Sequence, residues 1–234
     1  MLFFGGWHDH PLFLKPLKEA VYMTNKERAV AEMRRAECYR FLAACFYQPT
    51  QDTLGKAEFF PALVDDLKIV CPAAAPFAQQ MHEAFSAQTE EELTVEYARL
   101  FVGPFALIAP PYGSVYIDGE RTVMGPSTQA TIDFYESEGL AKHAEFSELP
   151  DHIAVELEFM YYLVYRQVEA LDKGDTGRYQ EYRQKEEDFF GRFIGKWALE
   201  FCKAISEGTS NQFYGALASC VTTLLKKTDN DRSA

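Results

Sequence analysis

Apolar residues recur along most of this chain at steps of three and four, the period of an amphipathic helix, and hardly anywhere at steps of two. From Lys26 to Tyr47, the residues Val30, Met33, Phe41, Leu42, Cys45 and Phe46 fall near helical spacing. The pattern stops at Pro49, which cannot continue a helix. Thr24 followed by Glu27 is a capping-box pair that opens this segment. Two shorter helical patterns follow, around Phe59 to Val70 and Phe77 to Ala87. A second capping box, Thr89 with Glu92, then precedes Leu93, Tyr97, Leu100 and Phe101. Gly103-Pro104 ends that helix. From Gly103 to Gly119 the chain holds three prolines and three glycines among Phe105, Leu107, Ile108, Tyr112, Val115 and Tyr116, an apolar loop longer than ordinary helix connections.

A short helix is predicted near Ser127 to Ser137, with a turn at Gly139. Pro150 then opens the clearest helix, with Ile153, Leu157, Met160, Tyr161, Val164, Val168 and Leu171 on one stripe. Gly174 to Gly177 breaks the pattern. Tyr182, Phe189, Phe190, Phe193, Ile194, Trp197, Phe201 and Ile205 predict one further long helix ending at Gly208, and Phe213, Leu217, Val221, Leu224 and Leu225 predict the last. Only Ser114 to Asp118 hints at strand-like alternation. The expected fold is all-α: a single-domain helical bundle with one long Pro/Gly/aromatic loop and no internal repeat.

Composition narrows the function. With 234 residues and 47% hydrophobic positions the chain can bury one sizeable core. Against 23 Lys and Arg stand 35 Asp and Glu, a net charge of -12 that repels nucleic acid and anionic membrane at long range and favours a basic or neutral partner. Cys38, Cys45, Cys71, Cys202 and Cys220 form no CxxC pair and no metal spacing, which reads as buried free thiols in a reducing compartment. No apolar run reaches the roughly 18 to 20 residues of a membrane span, and Met1 to Tyr22 lacks the pattern of a secretory signal, so a cytoplasmic protein is expected. Met23, just before the first capping box, reads as an alternative start, which makes residues 1–22 an upstream or appended extension and 23–234 the helical domain. His8 and His10 within it are too few for a metal site.

Catalytic machinery is hard to find. A di-iron bundle needs Glu-x-x-His pairs, and none of His8, His10, His82, His143 or His152 has a glutamate three residues before it. Phosphate loops, GxSxG elbows, dinucleotide fingerprints and HExxH are absent from the sequence. Two polar-aromatic constellations remain. The first runs from Glu96 to Pro104 and on through Pro110-Pro111-Tyr112-Gly113-Ser114-Val115-Tyr116. Proline and glycine there hold the backbone open while tyrosines offer flat apolar area with a polar tip, which suits peptide binding; a loop plugging the core is the plainer alternative. The second is Glu148-Leu149-Pro150-Asp151-His152-Ile153 with Glu156 and Glu158. Asp151 and His152 are expected in the first helical turn, where the dipole favours a carboxylate and keeps the imidazole neutral. Asp151, Glu156 and Glu158 offer carboxylates for bidentate bonds to an arginine pair; helix capping and a solvated acidic face are the alternative.

At these constellations the sequence resembles the TorD/DmsD family of redox-enzyme maturation proteins. The resemblance rests on Leu100-Phe101-Val102-Gly103-Pro104, on Ala109-Pro110-Pro111-Tyr112-Gly113-Ser114-Val115-Tyr116, on Leu149-Pro150-Asp151-His152-Ile153 with Glu156-Leu157-Glu158-Phe159, and on Arg40-Phe41-Leu42-Ala43-Ala44-Cys45-Phe46-Tyr47. It covers about residues 25–226 in the same order. It implies an all-α cytoplasmic chaperone of anaerobic respiration, without a cofactor or catalytic activity of its own. Such a chaperone binds the twin-arginine leader and apo-form of a molybdopterin-containing oxidoreductase of the DMSO-reductase superfamily, aids cofactor insertion and delays export. Molybdenum-cofactor biosynthesis proteins and the Tat translocon are the further partners it implies, and a monomer or domain-swapped dimer the assembly, with Gly174 to Gly177 as hinge. The client-binding residues carried over are Tyr47, Gly103, Pro104, Pro111, Tyr112, Ser114, Tyr116, Asp151, His152 and Glu156. Burying three or four large leader side chains at roughly 1.5 to 3 kcal/mol each, less the cost of ordering the peptide, implies micromolar affinity. The competing readings are an assembly factor gripping a folded region of its client, as nitrate-reductase chaperones do, an enzyme using Asp151 and His152 as an acid-base pair, and a purely structural helical subunit.

Overall fold

The computed structural model describes residues 23–103, 107–119, 123–141 and 148–232. Residues 1–22, with His8 and His10, lie outside the described residues, as do Pro104 and His143. Among the described residues the chain forms eleven α-helices: α1 (Asn25–Ala44), α2 (Gln51–Leu54), α3 (Phe59–Val70), α4 (Ala75–Ala87), α5 (Glu90–Tyr97), α6 (Gly113–Ile117), α7 (Pro126–Ser137), α8 (Ile153–Asp172), α9 (Thr176–Arg192), α10 (Ile194–Gly208) and α11 (Gln212–Arg232). Both capping boxes are formed. Glu27 N donates to Thr24 Oγ1 at 3.2 Å while Thr24 N donates to Glu27 Oε2 at 2.8 Å, and Thr89 with Glu92 repeats the arrangement at the start of α5.

The bundle is organised on the antiparallel pair α1 and α8. Ala29 and Met33, early in α1, pack with Val168 and Leu171, late in α8, while Tyr47, just past α1, reaches Glu158 near the start of α8. Helix α9 covers α8, α11 packs between α4 and α10, and α3 bridges α1 and α4. Their apolar stripes meet in one core around Phe46, Phe101, Trp197, Phe201, Phe213 and Tyr214. All five cysteines are free and buried.

Three elements depart from the sequence expectation. The expected helix from Tyr182 to Gly208 is two helices. Phe193 breaks it (φ -123°, ψ -102°), yet Phe189, Phe193, Trp197 and Phe201 all face the core, so the apolar period runs through the break and conceals it. The second departure is Ser114 to Asp118, which forms helix α6 rather than a strand. The Gly113 amide donates to Asp151 O and the Ser114 amide to Asp151 Oδ2, both at 2.8 Å, and this anchoring of the first turn overrides the strand preference of Val115 and Ile117. What remains of strand pairing among the described residues is a single bridge between Tyr112 and His152. Lastly, α8 begins at Ile153, not Pro150. Pro150 and Asp151 form a turn closed by His152 N to Leu149 O at 3.1 Å, and His152 is the N-cap, its Nδ1 accepting from Ala154 N at 3.2 Å. Asp151 and His152 therefore stand just ahead of the first helical turn.

Candidate functional site

Between α7 and α8, facing side chains line a groove of about 350 Å³. Ile132 and Tyr135 from α7 form one wall, and Val155, Phe159 and Tyr162 from α8 the other. Leu140, Ala141 and Pro150 from the connection between them close the end, and the carboxyl groups of Glu136, Glu148 and Glu158 stand among these apolar surfaces. Tyr135 packs on Phe159 with ring centroids 4.5 Å apart and donates its hydroxyl to Pro150 O at 3.0 Å, which ties the α7 wall to the turn before α8.

Beside the groove lies an aromatic face. Tyr47 stacks on His152 at 6.1 Å with its ring plane 12° from parallel, Tyr112 meets the same imidazole edge-on at 5.5 Å, and the Tyr47 hydroxyl donates to Glu158 Oε1 at 3.1 Å. Glu158 thus belongs to both surfaces. His152 is 1% exposed, and burial pushes its pKa down to about 4, so the ring is neutral near pH 7. The expectation of a neutral imidazole holds, but desolvation rather than the helix dipole is its cause. His152 Nε2 lies 3.9 Å from Glu148 Oε2, too far for a hydrogen bond.

Behind this face is a buried polar knot. Asp151 Oδ2 accepts the Ser114 amide at 2.8 Å and the Thr128 hydroxyl at 3.0 Å, and Ile153 N donates to Pro111 O at 2.9 Å. Glu156 is 0% exposed, and burial raises its pKa well above the ordinary carboxyl value, so it is held protonated. The Trp197 indole donates to Glu156 Oε2 at 2.9 Å, and Tyr116 stacks on the indole at 5.4 Å. Gly113 is required here: a Cβ would stand 2.9 Å from Trp197 Nε1 and 3.3 Å from Glu156 Oε1.

Of the ten residues singled out in the sequence, Tyr47, Tyr112 and His152 come together on the aromatic face. Pro111, Ser114 and Asp151 form the knot beneath it, and Tyr116 and Glu156 meet through Trp197. Gly103 is set apart, closing a π-helical turn (Ala98–Val102) at φ 32° by donating to Ala98 O at 2.7 Å. Pro104 lies outside the described residues. Sequence reasoning passed over Thr128, Trp197 and the groove walls. Glu156 did carry a signal of burial, since it lies three residues after Ile153 and four before Met160, inside the apolar stripe of α8.

Among the described residues no group of three or more His, Cys, Asp or Glu is placed to hold a metal ion, and no helix is long and apolar enough to cross a membrane. Fold and site together define an all-helical bundle with a surface groove at the start of its central helix. The chain belongs to the nitrate reductase delta subunit family, whose model matches residues 70–203, and TorD and DmsD chaperones are among its curated relatives. It is 28% identical over 179 residues to the Tat proofreading chaperone DmsD of Salmonella typhi, covering 76% of this chain and 80% of that one. Against the chaperone protein TorD of Aliivibrio salmonicida the identity is 26% over 200 residues, or 82% and 92% of the two chains. The fold matches the crystal structure of a putative redox enzyme maturation protein from Archaeoglobus fulgidus with a TM-score of 0.52 and 24% identity over 82% of this chain and 93% of that one. These curated relatives are chaperones, and by kinship this chain is a chaperone and not an enzyme.

Proposed function

We propose that the chain is a cytoplasmic, system-specific chaperone that binds the twin-arginine leader and apo-form of a molybdopterin-containing oxidoreductase, assisting cofactor insertion and delaying export. The observation that carries this reading is the apolar groove bordered by Glu136, Glu148 and Glu158 and continuous, through Glu158, with the aromatic face of Tyr47, Tyr112 and His152. A twin-arginine leader joins two guanidinium groups to an apolar stretch. On this reading Glu148 and Glu158 receive the arginines by charge-assisted bonds, and Ile132, Tyr135 and Tyr162 cover the apolar part. Asp151 and Glu156, being buried, shape this surface from behind instead of touching the arginines. Long-range attraction from a chain of net charge -12 speeds encounter, while apolar burial supplies most of the affinity. Cofactor-biosynthesis proteins and the translocon then meet the chaperone through the client it holds.

Co-expression of a molybdoenzyme precursor with this chain, with and without the leader, tests the reading. Capture is expected to require the leader. Equal capture of the leader-deleted client would replace it with recognition of a folded region of the client.

A further inference from the structure

Helix α8 contributes to both the groove and the aromatic face, but the other side of each is built by a different element, and one buried carboxyl group joins those two elements. Helix α7 carries the outer wall of the groove, whereas Tyr112 and the start of α6 belong to the segment that forms the aromatic face. Asp151 lies between the two and is 1% exposed. Its Oδ2 accepts from α6 through the Ser114 amide and from α7 through the Thr128 hydroxyl, and its carbonyl accepts the Gly113 amide at 2.8 Å. Thr128 is equally buried at 1% and lies two helical turns before Tyr135, on the same side of α7. Its hydroxyl and the Tyr135 hydroxyl are therefore two ties, one at the inner edge of α7 and one at the groove, that hold this helix against the 149–152 turn.

We infer that Thr128 is a positioning residue: through Asp151 it sets the groove at a fixed spacing from the aromatic face, so that one peptide occupies both surfaces at once. This inference rests on the leader-binding reading. Two weak subsites linked in one ligand reinforce each other only while their separation matches the ligand's span, because the second contact is then made at high effective concentration. Without the Thr128 hydroxyl, α7 keeps the bonds from Ser127 to Asp118 at the end of α6 but loses its tie to the buried Asp151, so its inner edge can shift against the 149–152 turn. Each surface keeps its own side chains, and what is lost is their registration. Thr128 thus governs the advantage of a bipartite client segment over its parts, and touches neither part.

The test uses three synthetic peptides, a full twin-arginine leader, its arginine-bearing half and its apolar half, titrated into the wild-type chain and into Thr128→Val and Thr128→Ser. Thr128→Val preserves shape and removes the donor; Thr128→Ser keeps it. The full leader is expected to bind Thr128→Val about ten-fold more weakly, the halves within about two-fold of wild type, and Thr128→Ser to match wild type throughout. Unchanged affinity of the full leader, or an equal loss for leader and halves, overturns the inference, the second outcome reducing Thr128 to a residue of general stability. Thr128→Ala, which removes the donor and places no methyl beside the carboxyl group, gives the same pattern and serves if Thr128→Val does not fold. Should no leader bind wild type, the leader-binding reading fails, and backbone amide exchange still decides the matter. Thr128→Val must accelerate exchange of the Ser114 amide and of α7 while sparing α1 and α11; unaltered exchange at Ser114 and α7 overturns it.

Discussion

Replacing Glu156 by glutamine should change how stability depends on pH, and the sign follows from burial. In the folded chain the carboxyl group is 0% exposed, with the Trp197 indole donating to Oε2 and no partner at Oε1. Burial, opposed by the indole bond and reinforced by Asp151, raises its pKa well above 4.5. In the unfolded chain it titrates as an ordinary glutamate. Between those two values the native state holds one proton that the unfolded state has lost, so the contribution of Glu156 to stability is complete below pH 4.5 and falls as pH rises toward the folded pKa. The slope is about 1.4 kcal/mol per pH unit while the native group stays protonated. Glutamine keeps a neutral acceptor for the indole and titrates nowhere. Its extra amide donors add an offset that does not vary with pH. Urea unfolding followed by circular dichroism, at intervals of half a pH unit from about 5 to 8, gives the difference between wild type and Glu156→Gln, from which the other titrating groups cancel. Wild type is expected to lose stability relative to the variant as pH rises above 4.5, by up to about 1.4 kcal/mol for each unit until the folded pKa is reached. Parallel curves would refute the reasoning, because they require Glu156 to be as ionised in the folded chain as in the unfolded one.

His152 acts in the opposite sense: its pKa falls from 6.5 to about 4 on folding, so its stabilisation is complete above pH 6.5 and is lost as pH falls, by about 3 kcal/mol relative to His152→Asn, which retains an N-cap acceptor. An imidazole that titrates near 6.5 by NMR would contradict this. Gly113→Ala drives a methyl to 2.9 Å from Trp197 Nε1, and should lower unfolding free energy by about 1 to 3 kcal/mol in the same urea assay. A variant as stable as wild type would show that the α6 anchorage has room to spare. All five thiols are buried, and burial lifts the pKa of Cys202 to about 12, so a thiol-disulfide reagent at pH 8 should label none in the native chain and five after unfolding. Rapid native labelling would place a cysteine at the surface.

The helical skeleton was readable because its signals are local. Thr24 with Glu27 and Thr89 with Glu92 are capping partners three residues apart, and the stripe from Ile153 to Leu171 follows the period of a single helix. The break at Phe193 was not readable, since the two helices it separates present their apolar residues in the same phase. Helix α6 was misread for the opposite reason. Val115 and Ile117 prefer strands, and the bonds that make them helical come from Asp151, more than thirty residues along the chain. The site was legible in part: Tyr47, Tyr112, Asp151 and His152 were singled out, but the groove was not. Ile132, Tyr135 and Tyr162 have the spacing of core residues, and only the packing of α7 beside α8 shows that they line a groove. Periodicity shows which face of a helix is apolar, not whether its neighbour covers that face.

The central claim is that this surface takes a segment joining an arginine pair to an apolar stretch, and calorimetric titration with twin-arginine leader peptides tests it most directly. The account predicts a micromolar dissociation constant for a cognate leader, weakened by salt and by replacing both arginines with glutamine, and weakened further by Tyr162→Ala in the groove. Absence of binding by every leader tested, or an affinity indifferent to both the arginines and Tyr162, would contradict it.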